Sequence, residues 1–235
     1  MLKIERHVLP SPEQWEIIIE GMRNPMNSWD KMDSYPAVDC GKCGRIEREG
    51  MCLKEGRDCT GFECYEIGKN DHKLMTSLAK GGAVHAKYRR MIPVWVTINA
   101  PLYWWKEFDT YKVGTVCNSC STMHKIQAKP FEVADFSREH LLISAYAVLC
   151  NTISTLNVYR KKFLETNNKQ YWWQLIQLLP TSYNQKRTVM LNYEVLVNIY
   201  HSRKNHKLDE WHTFCDWIRG LPHSELITGG GEDGK

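Results

Sequence analysis

Two stretches of this chain carry residue types that can do chemistry. Between Gly114 and Thr122 lie Thr115, Cys117, Asn118, Ser119, Cys120, Ser121 and Thr122, a run of hydroxyls, thiols and one amide able to hold a small polar ligand. Upstream, Cys40, Cys43, Cys52, Cys59 and Cys64 fall in a polar, glycine-containing segment from Met26 to Asn70. Cys40-Gly-Lys-Cys43-Gly is a knuckle whose backbone N–H groups can support two thiolates on one ion, and Cys59 with Cys64 would close a tetrahedral, structural zinc site. The other reading is a reduced, cysteine-rich surface excursion: five cysteines compete for four places, and no histidine falls inside the run before His72. Cys117-Asn-Ser-Cys120 is a further C-x2-C, but the sequence fixes no histidine beside it, so two small fillers of a polar loop are the plainer reading.

The elements that must position these groups follow from local signals. Ahead of the polar loop, Pro101 suits a first helical turn, and Leu102, Tyr103, Trp104, Trp105 and Phe108 are too apolar for a solvated face. Ile92, Val94, Val96 and Ile98 alternate as in a strand with one buried face, and Pro93 suggests an edge or a bulge. Lys3 to Leu9 reads as a first strand. Ser11, Pro12 and Gln14 then form a capping box for a helix that Gly21 ends. Asn70 or Asp71 can cap a helix through Leu78 that Gly81-Gly82 terminates, and Ser137 opens a long amphipathic helix to about Glu165. Tyr171 to Leu179 is helical until Pro180, Thr188 to Leu191 forms a short strand, and Asn192 caps a helix to about Arg203. The last helix runs from Leu208 to Gly220, and residues 228–235, TGGGEDGK, are expected to be disordered.

With 235 residues, 43% hydrophobic and 25% charged, the composition is that of a globular protein, and a net charge of +4 singles out no partner. No apolar run is long enough to span a bilayer or to serve as a signal peptide, which gives an expectation of a cytoplasmic protein without a membrane partner. The aromatics cluster in apolar helices (Trp104, Trp105, Trp172, Trp173), which favours core packing over stacking on nucleic acid. Neither G-x-G-x-x-G nor a P-loop is present.

Leu179-Pro180, followed by Asn192-Tyr-Glu-Val-Leu-Val-Asn198-Ile-Tyr-His-Ser-Arg203, resembles the C-terminal half of the flavin-dependent thymidylate synthase family, in which a leucine-proline precedes an N-x-R-x-x-x-N-x-x-x-x-R helix. Asp209-Glu210-Trp211 continues the likeness. The Ala100 stretch is similar to the family's helix that enters with A-P and leads into R-H-R-x-x-S-x-N-E-x-S-x-R-Y, and Gly81-Gly82-Ala83-Val84-His85 sits where the family has a G-H-x-S-x-x-E-H turn. The likeness covers about Leu74 to Leu221, with the cysteine segment, about 36–70, as an insertion in a single domain of residues 1–227.

The departures are as informative. The R-H-R positions become Tyr111, Lys112 and Val113, or Thr110, Tyr111 and Lys112, according to the end from which they are aligned. Ser119 replaces the glutamate after the asparagine, Met123-His124 the arginine-tyrosine, Ile176 an arginine before the proline, and Glu194 the arginine after Asn192.

The resemblance implies a mixed α+β fold with a central sheet and long helices, a homotetramer, and reductive one-carbon transfer to C5 of a pyrimidine deoxynucleotide, dUMP or a relative. FAD would be the cofactor, with NADPH and methylenetetrahydrofolate as co-substrates. In that scheme Arg203 is the catalytic cation facing the N3-ionised base; Glu107, Ser119, Cys120 and Ser121 join it in holding the nucleotide; and His85, Tyr111, Lys112, Asn118, Asn192 and Asn198 hold the cofactor. Ser119, Ser121 and loop N–H groups, with Lys106 or Lys112, would clamp the phosphate. Two other readings remain: a nucleotide-binding or scaffolding homologue that has lost the chemistry, and a zinc-bearing nucleic-acid-binding protein.

Overall fold

The computed structural model describes residues 1–40, 45–48 and 62–229, and for 38–40, 45–48 and 62–63 the backbone only. In chain order its first elements are β1 (Lys3–Val8), α1 (Pro12–Arg23), β2 (Tyr35–Cys40), β3 (Arg45–Arg48), β4 (Phe62–Glu66), α2 (Lys69–Lys80), β5 (Pro93–Pro101) and α3 (Leu102–Phe108). There follow β6 (Val116–Ser119), α4 (Ile143–Thr166), α5 (Lys169–Leu178), β7 (Asn184–Asn192), α6 (Tyr193–Arg203), α7 (Asp209–Arg219) and α8 (Glu225–Thr228). The chain forms two compact units, one of Met1–His7, Val96–Val189 and Arg203–Trp217, the other of Val8–Trp95, Met190–Ser202 and Ile218–Lys235. No described helix is long and apolar enough to cross a membrane.

The first unit is built on a sheet of order β1-β5-β7-β6. Alternation along β5 puts Val94, Val96, Ile98 and Ala100 at 1% exposure or less. The strand lies inside the sheet, not at its edge: Pro93 is its first residue, where a missing N–H costs no ladder bond. Pro101 stands at the N-cap of α3, Trp104, Trp105 and Phe108 are buried, and Trp104 and Phe108 pack on Trp211 and Phe214 of α7, with the Trp104 and Trp211 rings 4.8 Å apart. Ser137 does not open α4. Its N–H donates to the Ser182 carbonyl at 2.8 Å and its hydroxyl to Asn184 at 2.8 Å, so it is already held beside β7, and the helix starts after Leu142. Leu149, Ile153 and Leu156 are the buried stripe of α4, in a cluster with Phe131, Phe136, Leu175 and Tyr183, whereas Leu141 and Val148 are exposed.

In the second unit, α1 carries the expected capping box between Ser11 and Gln14 but runs through Gly21 to Arg23. Gly21 serves packing, since a Cβ there would lie 3.0 Å from Met91 Cε. Arg23 is buried, donating from Nε to Asp71 at 2.5 Å and from Nη1 to the Ser28 carbonyl at 3.2 Å. Asp71 is therefore not a helix cap. Its carboxylate also accepts from the Asp33 and Ser34 N–H groups, each at 2.9 Å, and from the Ser34 hydroxyl at 2.6 Å. The cap comes from Asp33, which accepts from Asn70 N at 2.9 Å and Asp71 N at 3.0 Å, and glycine is required at position 68 because a Cβ would fall 2.3 Å from the Asp33 carboxylate. The cysteine segment contributes an antiparallel sheet of order β3-β2-β4, with Ala37 opposite Arg48 on one side and Cys64 on the other. Cys43 and Cys59 lie outside the described residues, as does the side chain of Cys40, so the four-cysteine site does too. Thr228 closes α8 with Gly229 as its C-cap, and residues 230–235 fall outside the described residues.

Candidate functional site

Arg203, the last residue of α6, is the centre of a polar cluster in the first unit. Its Nε donates to the Tyr111 hydroxyl at 2.9 Å and its Nη1 to Glu107 Oε2 at 2.8 Å, while the guanidinium lies 4.8 Å from the Trp211 ring centroid and 5.7 Å from that of Tyr111. The same Glu107 oxygen accepts from Trp211 Nε1 at 2.9 Å and lies 3.3 Å from His206 Nε2. With side-chain exposures of 18% for Arg203 and 34% for Glu107, the pair is half-buried and reachable from solvent. The aromatic core of α3 and α7 fixes Glu107, Tyr111 and Trp211, and these fix the plane of the guanidinium. A cation so held presents a rigid donor fork suited to a flat anionic group. Glu107, Tyr111 and Arg203 are thus brought together, and His206 joins them without any signal in the sequence.

The polar loop is organised differently. Asn118 and Ser119 are exposed on β6, and Lys112, Cys120 and Ser121 are exposed as well. Cys120 is tied to β7 through its N–H to the Lys186 carbonyl at 2.9 Å and through Gln185 Nε2 to its own carbonyl at 2.8 Å. The Ser121 hydroxyl accepts from the N–H groups of Met123 at 3.3 Å and Lys125 at 3.2 Å, which makes it the cap of a turn. The cation beside this loop is Arg187 of β7, which sequence reasoning missed. It lies over Trp105 at 4.2 Å, pairs with Asp109 at 2.7 Å, bonds Gln185 at 2.9 Å and approaches Cys117 Sγ at 3.8 Å.

The second unit holds an open cavity of about 370 Å³ with Lys80, Arg89, Glu194, Asn198, His201 and Glu225 in its wall. Arg89 and Glu194 are 7% and 12% exposed with Nε and Oε2 2.9 Å apart, yet neither atom makes a hydrogen bond, because the N–H is not directed at the oxygen. Arg89 Nη1 donates instead to the Leu226 carbonyl at 3.1 Å. Asn198 lines the cavity. Asn192 does not: its Oδ1 accepts from Val195 N at 3.1 Å and so caps α6. His85 is exposed on the turn after α2, of which Gly82 and Ala83, not the histidine, reach the cavity wall. Arg89 was also missed, although a glutamate at position 194 on a largely buried helix was a signal that a cation must face it.

No protein-family model and no curated protein matches the chain. Among solved structures it is similar to thymidylate synthase X (ThyX) from Helicobacter pylori crystallised with FAD and dUMP, with a TM-score of 0.60 and 14% identity over 97% of each chain. The fold is that of ThyX. It is likewise similar to the UMP/dUMP methylase PolB from Streptomyces cacaoi bound with 5-Br dUMP, with a TM-score of 0.59 and 10% identity over 97% of this chain and 94% of that one. At such identities the likeness establishes the ThyX-like architecture, and the chemistry has to be argued from the side chains described above.

Proposed function

We propose that this protein binds a pyrimidine nucleotide and a flavin and catalyses reductive one-carbon transfer to C5 of the pyrimidine ring. The observation that carries the proposal is the Arg203 cluster, a half-buried guanidinium held by Tyr111, Trp211 and Glu107 at the end of α6 in a chain with the ThyX fold. Ionisation of a uracil-type ring at N3 prepares C5 to react, and a fixed guanidinium beside that nitrogen stabilises the anion. Glu107 orients Arg203 and adds an acceptor, so a base bearing an amino group is a candidate for binding, whereas the N3 ionisation requires a uracil-type ring. Ser119 and Ser121, loop N–H groups and Lys112 or Lys106 would face the phosphate, with Arg187 as an additional cation.

The residues around the second-unit cavity fit a flavin. Ala79, Val197 and Leu226 give it apolar wall, Lys80, Asn198 and His201 give it polar groups, and the buried Arg89 Nε and Glu194 Oε2 have hydrogen-bonding capacity that they do not use on each other. A bound flavin supplies the two-electron redox step, with NADPH as reductant and methylenetetrahydrofolate as carbon donor. Purified protein is expected to show a flavin absorption spectrum, alone or after addition of FAD, and to release the C5 hydrogen of dUMP when the co-substrates are present.

A second reading, a nucleotide-binding protein without the chemistry, is favoured by the exposure of Asn118, Ser119, Cys120 and Ser121 and by Glu107 already neutralising Arg203. Nucleotide binding with neither flavin retention nor C5 exchange would select it. The homotetramer belongs to the first reading, and light scattering that finds a monomer at micromolar concentration would count against it.

A further inference from the structure

Away from the groups used above, three ligand-type side chains of the second unit converge: His72 in α2, His223 in the turn before α8, and Glu225 in the first turn of α8. One donor atom from each lies within 4.8 Å of the others. His72 Nε2 is 2.7 Å and His223 Nδ1 3.7 Å from the same Glu225 oxygen. These separations bracket the roughly 3.3 Å edge of a tetrahedron with metal–ligand bonds of about 2.0–2.1 Å. We infer that His72, His223 and Glu225 form a binding site for a divalent transition-metal ion of the zinc class.

Two imidazoles and one carboxylate are a nitrogen–oxygen set that zinc accepts with a fourth position left for water. The positions are built rather than incidental. His223 has φ of 53°, a left-handed conformation uncommon outside glycine, and its ring is set edge-on against Trp15 at 5.9 Å. That conformation turns the chain so that residues two apart, His223 and Glu225, both face His72. Side-chain exposures of 39%, 28% and 39% for His72, His223 and Glu225 leave the trio open to an entering ion. Glu225 also lines the 370 Å³ cavity, as does Thr76 one turn beyond His72, so the ion would fasten α8 to α2 at the cavity's rim. The inference stands on these residues alone and is independent of whether the protein binds flavin or nucleotide.

The test has to separate this site from the cysteines of the 36–70 segment. Protein stripped with a chelator under reducing conditions is titrated with zinc while the imidazole resonances are followed by NMR, and the bound zinc is counted in wild type, His72→Ala and His223→Asn, asparagine being chosen because it tolerates positive φ. Two imidazoles are expected to shift together in the wild type, and each variant is expected to lose one equivalent of bound zinc with an unchanged circular dichroism spectrum. Zinc uptake that moves no histidine resonance, or the same zinc content in folded variants and wild type, would overturn the site. The wild-type NMR titration decides the matter even where a variant fails to fold.

Discussion

Replacing Arg203 by alanine tests the functional centre most directly, and the structure sets two separate magnitudes for it. On the folding side the change removes the guanidinium's ion-paired hydrogen bond to Glu107 and its charge-assisted bond to the Tyr111 hydroxyl. Because Glu107 is 34% exposed, solvent screens the pair, and the loss is about 1–2 kcal/mol, a fall in Tm of roughly 2–8 °C for a chain of this size. On the binding side, a guanidinium that pairs with an ionised pyrimidine contributes about 2–4 kcal/mol, so nucleotide affinity should fall roughly thirtyfold to several hundredfold. Glu107→Gln gives the contrast. It costs stability through the same pair but removes the anion that competes for Arg203, so dUMP affinity should hold or rise while dCMP, whose amino group would meet a neutral amide oxygen in place of a carboxylate, should bind more weakly. Calorimetric titration of the three proteins with both nucleotides, beside their melting curves, reads all of this. If Arg203→Ala melts lower yet binds with wild-type affinity, Arg203 is a structural clasp, and if the wild type binds neither nucleotide the proposed function falls.

Asp71→Asn should cost about 3–5 kcal/mol in denaturant unfolding, because it leaves Arg23 buried without its counter-ion. Burial pushes the Asp71 carboxyl up, but hydrogen bonds from Ser34, the Asp33 and Ser34 backbone and Arg23 hold it below its ordinary value; its stabilisation is therefore complete above about pH 4 and lost as pH falls through the folded-state value, so wild type and variant should converge in strong acid. Leu156→Ala empties a fully buried position between α4 and α5 and should lower stability by about 2–5 kcal/mol. Gly68→Ala drives a Cβ into the Asp33 backbone 2.4 Å away, so the α2 cap should open at a cost of about 1–2 kcal/mol, seen as faster amide exchange at Asn70 and Asp71.

Elements whose causes are local were legible in the sequence. The Ser11–Gln14 capping box, the alternation along β5 and the Asn192 cap of α6 depend on residues a few positions apart, and all three occur as read. The misreadings share one cause. Ser137 and Asp71 each have the right type for a helix boundary, but each is claimed by a group distant in sequence: Asn184 and Arg23. A capping side chain can bond any partner within reach, and sequence cannot show that a group distant along the chain has taken it first. Pro93 misled for a related reason: proline argues for an edge only where its N–H would have to donate to a neighbouring strand, and at the first residue of β5 no such bond is needed.

Much the same logic governs the charges of the two units, each taken by itself. Read along the motif, the arginines of the resembled family are largely gone, and Glu194 even reverses one of them. In three dimensions Arg89 stands 2.9 Å from Glu194, and Arg187 lies beside the polar loop, each supplied by a segment outside the motif. A buried carboxylate on a helix requires a cation nearby, because an unpaired one would take up a proton or unfold the helix. Glu194 therefore announced a partner, but with 31 lysines and arginines in the chain it could not say which. Motif spacing follows the backbone, whereas charge balance needs only proximity, so the charges near a polar cluster can come from residues far from it in sequence. Where Arg89 and Arg187 sit, rather than how many arginines the motif retains, bears on whether this chain can hold anionic ligands.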